Sequence, residues 1–414
     1  MITVDNYIEH FIKIWDESPS HFPKFNRIYT NAEKLERENN FEKIQEKLKS
    51  LQSKSTIKKL RNSNPESKFF PVFRSFLHDI FDFDKAHLEI ILSDEFRNVS
   101  RDFFYKAREF GPELSPENIY QGLRNVWIMN GLQLMMNIPV EITPSIFAYS
   151  MIYPYSDNYL DDPNISNPEK QEFSTRFNSR LHGEKIQPEN LTELQLFRLV
   201  GMFEEQYKRD DFPEVYESLY AIQKGQTDSL KLLKLSGLSD SEIQKICFEK
   251  GGTSVLADGY LVAGKLKPEQ EQALIGYGIY LQLLDDIQDI KEDVDADTNT
   301  MCSYLKQKRL GEFVNQTIHF GRSALEEMKC FEAENVDVFL NLMNRSIETM
   351  IIESIGLNGS DFTENYLNEI EKFSPLHFDF IRRKKSESKS QRFAMFRKYF
   401  EQAKPEQIAK LSYF

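Results

Sequence analysis

From about residue 66 to residue 375, apolar side chains recur every three to four positions, the period of helices that bury one face. The breaks in that pattern are short: GPELSPEN (111–118), NIPVEITPS (137–145), DPNISNPE (162–169), GLSDSE (237–242) and GKLKPEQ (264–270). Several carry helix-start chemistry. Ser115 precedes Pro116 and Thr143 precedes Pro144, each a capping hydroxyl ahead of a proline in the first turn. Ser166 with Glu169 three positions on makes a capping box. Gly237 and Gly264 stand where helices can end. No alternating strand pattern of useful length and no repeat of roughly 20–50 residues accompanies them. Only 17 Gly and 16 Pro among 414 residues leave little for a turn-rich β architecture. The expected fold is all-α, with many helices of medium to long length.

The ends differ from this central region. Residues 1–20 read as an amphipathic helix on Tyr7, Phe11, Ile14 and Trp15. Residues 31–62 are highly charged with a thin apolar stripe, either a solvated helix or a partly ordered one. Ser63, Asn64 and Pro65 mark a boundary, so the expected units are an N-terminal extension (1–65), a main helical domain (66–375) and a C-terminal segment (376–414). The basic run at 378–400 of that last segment is either an exposed charged helix or a lid that closes over an anionic ligand.

A formal charge of −13, from 65 acidic against 52 basic residues, argues against a nucleic-acid partner. Cys247, Cys302 and Cys330 are odd in number and form no CxxC, which disfavours a disulfide framework or a zinc site and fits a reducing compartment. The first residues have no basic stretch ahead of an apolar run, and no segment approaches the ~18–20 apolar residues of a transmembrane span. A soluble cytoplasmic protein is expected.

Two acidic clusters interrupt the apolar pattern. Thr143 to about Asp162 reads as one helix, because Phe147, Met151 and Tyr155 recur every four residues. Asp157 and Asp161 share a face of its last turn, Asp162 follows, and Pro163 discourages continuation. The helix dipole is negative at that end and disfavours each carboxylate by up to ~1 kcal/mol. With no Lys or Arg within eight residues, the pair invites a divalent cation, and oxygen ligands suit Mg²⁺. Alone, it reads equally as a solvated helix end. About 130 residues later a second apolar helix starts near Pro268, runs through Leu274, Tyr277, Leu281 and Leu284, and ends in Asp285, Asp286, Asp289, Glu292 and Asp293. Asp285, Asp289 and Asp293 fall at i, i+4 and i+8, three turns on one face. Two such helix ends, facing each other, would hold cations and bind a diphosphate.

This ordered pair resembles the class I isoprenoid and terpenoid synthases, over about residues 66–310. The first stretch, DNYLDDPNIS, is similar to the DxxxDD motif of squalene and phytoene synthases through Asp157, Asp161 and Asp162. The second, LQLLDDIQDIKED, is similar to the DDxxD motif of prenyl diphosphate synthases through Asp285, Asp286 and Asp289. It also resembles the NSE-type pattern of terpene cyclases through Asp285, Asp289 and Asp293; aligned on squalene synthase, its DxxxD is Asp289 and Asp293. The stretch KGGTSVLADGYLVAG (250–264) resembles the lysine-led, kinked helix of prenyltransferases, with Gly251 and Gly252 loosening the helix and Lys250 reaching a phosphate. A strict DDxxD at the first site and a strict NSE triad at the second are absent, as are a nicotinamide site and the membrane anchor of eukaryotic squalene synthases.

The resemblance implies a helical bundle around a central cavity, two or three Mg²⁺ ions, a prenyl diphosphate substrate and, as in related families, a homodimer. It implies metal ligation by Asp157, Asp161, Asp162, Asp285, Asp286, Asp289 and Asp293, of which Asp157, Asp161, Asp285 and Asp289 carry catalysis. Arg176 and Arg180, four apart on the helix after the first motif, are either diphosphate ligands or a surface pair; Arg209 is a candidate diphosphate sensor beside acids that could simply pair with it. Gln121, Arg124 and Asn125, and Gln223 and Gln226, are polar residues in apolar helices that line the cavity or satisfy one another. Tyr153, with Phe147, Tyr149, Trp127, Phe173 and Tyr280, could wall it, although a Phe on a buried helix face is more often core. The leading functional reading is a terpene synthase. The alternatives are a condensing enzyme of the squalene/phytoene type and a helical isoprenoid-binding protein without turnover.

Overall fold

The computed structural model describes residues 2–51, 66–162, 164–233 and 237–388. Their regular elements are helices: α1 Val4–Glu17, α2 Asn31–Leu51, α3 Glu66–Ser75, α4 Lys85–Ile91, α5 Asp94–Phe110, α6 Pro116–Met135, α7 Pro144–Asp161, α8 Asn167–Leu181 and α9 Leu191–Gln206. They continue with α10 Pro213–Ser229, α11 Asp240–Ala263, α12 Pro268–Gln288, α13 Ile290–Asp295, α14 Gln307–Glu327, α15 Val336–Leu357, α16 Glu364–Ile370 and α17 Phe378–Ser388. Among the described residues there is no strand, only an isolated bridge between Leu233 and Thr298 that ties the loop after α13 to the end of α10. No described helix is long and apolar enough to cross a membrane. The remainder of the 31–62 stretch and of the 378–400 basic run lies outside the described residues.

The helix starts form where the caps stand. The hydroxyls of Ser115 and Thr143 accept from the backbone of Asn118 and Ile146, and the Ser166 backbone donates to Glu169 at 2.9 Å. Gly264 ends α11 in the left-handed conformation, φ 73°.

α11 and α12 occupy the centre. α11 is buried almost all round from Ile243 to Val262, as a helix hydrophobic on every side must be. The glycines at 251, 252 and 278 let the two helices touch backbone to backbone. A Cβ on Gly278 would lie 2.2 Å from the Gly251 carbonyl oxygen, and one on Gly251 would lie 2.7 Å from that of Gly278. The glycines expected to loosen α11 thus sit at a close helix crossing, and α11 runs unbroken through them.

α1 joins the same core: Ile8 and Phe11 are fully buried, and the Trp15 ring meets the edges of Phe248 and Phe320. Pro154 lies inside α7 and gives the Ser150 carbonyl no intrahelical partner. Gly122 of α6 packs directly against that carbonyl, where a Cβ would come within 2.7 Å of its oxygen.

Candidate functional site

A cavity of about 1760 Å³ opens between α6, α7, α11, α12, α15 and α17. Asp157 near the end of α7 and Asp285 and Asp289 at the end of α12 lie on its wall, so the two acidic clusters, distant in sequence, share one space. Lys250 of α11 lines it as well, as do Gln121, Arg124 and Asn125 of α6, Tyr153 of α7 and Gln226 of α10. Lys384 and Lys385 of α17 also reach the wall, the described part of the expected lid. The wall also has apolar and aromatic members, among them Trp127, Ile128, Val255, Tyr277 and Leu281.

The second acidic cluster differs from a straight row. α12 stops at Asp289, whose backbone departs from the helix, and α13 resumes at once. The hydrogen bonds from Asp289 N to Asp285 O (2.9 Å) and from Asp293 N to Asp289 O (2.8 Å) carry the chain across the bend. Beyond the bend, Glu292 lines the cavity. Asp293 is partly buried off the cavity wall and accepts from Thr300 Oγ1 at 3.2 Å.

Crowding and burial raise three of these acids above the usual carboxylate range. Reduced hydration in the cavity mouth, then Asp285 and Glu292, push Asp289 up to about 6, against the pull of Arg124 and Lys385. Burial, with the charges of Asp289 and Asp285, pushes Asp293 up to about 7. Asp286 is buried, accepts from Gln282 Nε2 at 2.8 Å and is pushed up to about 8, first by burial and then by Asp285 and Asp293.

Lys250 answers both clusters. Burial alone would lower its ammonium, but the charges of Asp285, Asp157 and Asp286 outweigh that and raise it. Asp157 is partly buried and accepts from Ser156 Oγ at 3.0 Å.

Other expected site residues stand apart from the cavity. Asp162 Oδ1 accepts from the backbone and side-chain nitrogens of Asn164, both at 2.8 Å, and so holds the loop after α7. The Asp161 side chain lies outside the described residues. Arg176 grips Glu193 through Nε (2.7 Å) and Nη2 (2.9 Å). Arg180 makes a two-pronged pair with Glu204 at 2.8 and 2.6 Å, and Arg209 joins the same carboxylate at 2.7 Å while covering the Tyr216 ring. None of the three arginines lines the cavity. Gln223 faces a small recess of about 40 Å³ beside α7, shared with Asp157, Tyr149 and Phe173. Phe147 and Tyr280 are core residues, 5% and 0% exposed.

The sequence reading passed over Asp258. It lines the cavity from the middle of α11, with no surface exposed. Its signal was a lone carboxylate in the apolar run SVLADGYLV. Gln282, Gln288 and Ser254 on the same wall gave no comparable signal.

Among the described residues no three Asp, Glu, His or Cys side chains converge into a ready metal cage. Mg²⁺ does not require one: it keeps several waters and is held by one or two carboxylates together with substrate phosphates. The hard oxygen donors of Asp157, Asp285 and Asp289 around one cavity fit that mode.

Neither a protein-family model nor a curated protein matches the chain. Among solved structures it is similar to one described as "a putative farnesyl-diphosphate synthase from Marinomonas sp. MED121", at 17% identity and a TM-score of 0.35, covering 64% of this chain and 93% of that one. At that distance the functional reading rests on the site's own geometry.

Proposed function

We propose that the protein is a Mg²⁺-dependent terpene synthase, which ionises a prenyl diphosphate, releases diphosphate and lets the allylic cation cyclise or lose a proton. One observation carries the reading. Carboxylates from two helix ends gather around Lys250 on the wall of a cavity that is also lined by apolar and aromatic side chains, a match to a ligand with an anionic head and a hydrocarbon tail.

Asp157, Asp285 and Asp289 would hold the metal, with Asp161 as the further donor that the motif implies. When bound, Mg²⁺ supplies positive charge to the departing diphosphate. Lys250 and Arg124 add fixed cationic hydrogen-bond donors at the same end. Tyr153, Trp127 and Tyr277 present ring faces or edges to the tail, shield it from water and offer negative π-density to a cation. Arg180 and Arg209 are already spent on Glu204 and serve the scaffold in this reading.

The deciding experiment incubates the pure full-length protein and Mg²⁺ with prenyl diphosphates of about C10 to C25, measuring released diphosphate and extracted hydrocarbon. Wild type is expected to exceed the Asp157→Ala/Asp285→Ala double variant by at least about 10²-fold on one substrate, as loss of electrostatic stabilisation at a reacting centre does. If no substrate releases diphosphate faster with wild type than with the double variant, the reading fails.

One observation favours the condensing alternative. The cavity, also lined by Phe41, Phe339 and Phe380, exceeds the roughly 300–1,000 Å³ of ordinary ligand pockets, room for a second chain. A C30 or C40 product in the same incubations selects it.

A further inference from the structure

Lys250, Ser254 and Asp258 stand at i, i+4 and i+8 of α11, one face of the helix, and all three line the cavity. At 1.5 Å per residue, Asp258 lies about 12 Å along the axis from Lys250. Hydrocarbon chemistry alone gives no reason for a carboxyl group there. Its Oδ1 accepts from Asn125 Nδ2 at 3.2 Å, and the same amide donates to Ser150 Oγ at 3.3 Å, which fixes its orientation. Among the described residues Asp258 Oδ2 has no hydrogen-bond partner, and it has no exposed surface, so a ligand oxygen reaches it from the cavity only as the side chains that cover it shift. An unpartnered buried polar atom is destabilising, whereas an apolar side chain at that place would cost nothing of the kind. Around it, Ser254 is engaged with the Tyr153 hydroxyl at 2.9 Å, and Val255 and Tyr277 complete an otherwise apolar wall.

We propose that Asp258, steadied by Asn125, is a hydrogen-bonding subsite for an oxygen function, a hydroxyl or carbonyl, carried on the hydrocarbon chain of the ligand about 12 Å from its anionic end. The inference rests on the reading of the aspartate end as the diphosphate site. A plain hydrocarbon tail leaves Oδ2 unsatisfied, while an oxygenated chain completes it, and that difference is the basis of selection. Burial raises the Asp258 carboxyl well above the usual range, which favours its protonated form; in that form it has an O–H to donate and an oxygen to accept.

The test compares farnesyl thiolodiphosphate, which resists ionisation, with its chain-hydroxylated derivatives, binding to the full-length protein with Mg²⁺. Quenching of tryptophan fluorescence reports binding, since Trp127 is on the cavity wall. At least one hydroxylated derivative is expected to bind wild type about tenfold more tightly than the parent. Asp258→Leu should reduce that preference to within about twofold, and Asp258→Asn, which keeps a donor and an acceptor, should retain it. Inorganic pyrophosphate should bind all three proteins alike. Equal binding of parent and derivatives to wild type overturns the inference without recourse to any variant. A preference that survives Asp258→Leu also overturns it. If pyrophosphate fails to bind wild type with Mg²⁺, the diphosphate site itself falls and this inference with it; if pyrophosphate binds and no preference exists, only this inference falls.

Discussion

At the scale of single residues, Lys250 holds the acidic end of the cavity together when no other cation is present. The charges of Asp285, Asp157 and Asp286 sustain its ammonium against burial, so Lys250→Met leaves those acids facing one another. Breaking a fully buried pair costs roughly 3–5 kcal/mol, and partial exposure of Lys250 reduces this to a fraction. The variant should melt several degrees below wild type in chelator and regain much of that with millimolar Mg²⁺. Melting curves with and without Mg²⁺ decide; an equal deficit in both conditions contradicts the role. Glu204 makes the opposite kind of prediction. The hydrogen bonds from Arg180, more than offsetting burial and helped by Arg209, hold its carboxyl down at about 2, below its ordinary 4.5. A lowered native value means that the stabilisation is complete above 4.5 and is lost as pH falls from there toward 2. Glu204→Gln should be less stable than wild type at pH 7 and lose less between pH 5 and 3, read from urea midpoints. The aspartates of the cavity were legible because two apolar helices ended in acids without neighbouring cations. The employment of Arg180 was not, because its partner Glu204 lies on another helix, 24 residues away; that of Arg209 was, since Glu204 is one of the acids close to it in sequence.

At the scale of helices, starts and stops were legible wherever local chemistry dictates them, as at Ser115, Thr143, Ser166 and Gly264. The bend at Asp289 was not. Neither glycine nor proline marks it, and it exchanges Asp293 for Glu292 on the cavity wall. The crossing of α11 and α12 was legible only as a cluster of glycines, since what a missing Cβ makes room for depends on the partner helix. That crossing sets where Asp285 stands, two turns beyond Gly278. Gly278→Ala forces a methyl within 2.2 Å of a backbone oxygen that cannot rotate away. Overpacking of this kind costs typically 1–3 kcal/mol or more. We expect a lowered melting temperature and, at temperatures where the variant is still folded, a loss of Mg²⁺-dependent diphosphate release larger than the loss of folded fraction. A drop in activity that tracks the folded fraction alone would remove the crossing from any role in aiming α12.

At the scale of the whole molecule, the amphipathic pattern of residues 1–20 was legible, but not where its apolar face would go. A boundary at residue 65 treats α1 as part of an extension; in the structure α1 is built into the central core. Phe11 fills the place where Gly276 of α12 lacks a side chain: a Cβ there would lie 2.3 Å from the Phe11 ring. Trp15 touches Phe248 of α11 and Phe320 of α14, and the Tyr7 hydroxyl donates to Glu271 of α12 at 2.7 Å. Removing α1 therefore strips Ile8, Phe11 and Trp15 from the core and exposes the rings beneath. At about 1.5–3 kcal/mol for each large apolar side chain, the loss rivals the 5–15 kcal/mol by which a typical domain is stable. A chain beginning at residue 19 should lack a cooperative melt, bind hydrophobic dye at room temperature and release no diphosphate, because α1 braces α12 nine residues before Asp285. A cooperative melt of that fragment at the wild-type temperature would show instead that α1 is a separable appendage and that the cavity-bearing bundle stands without it.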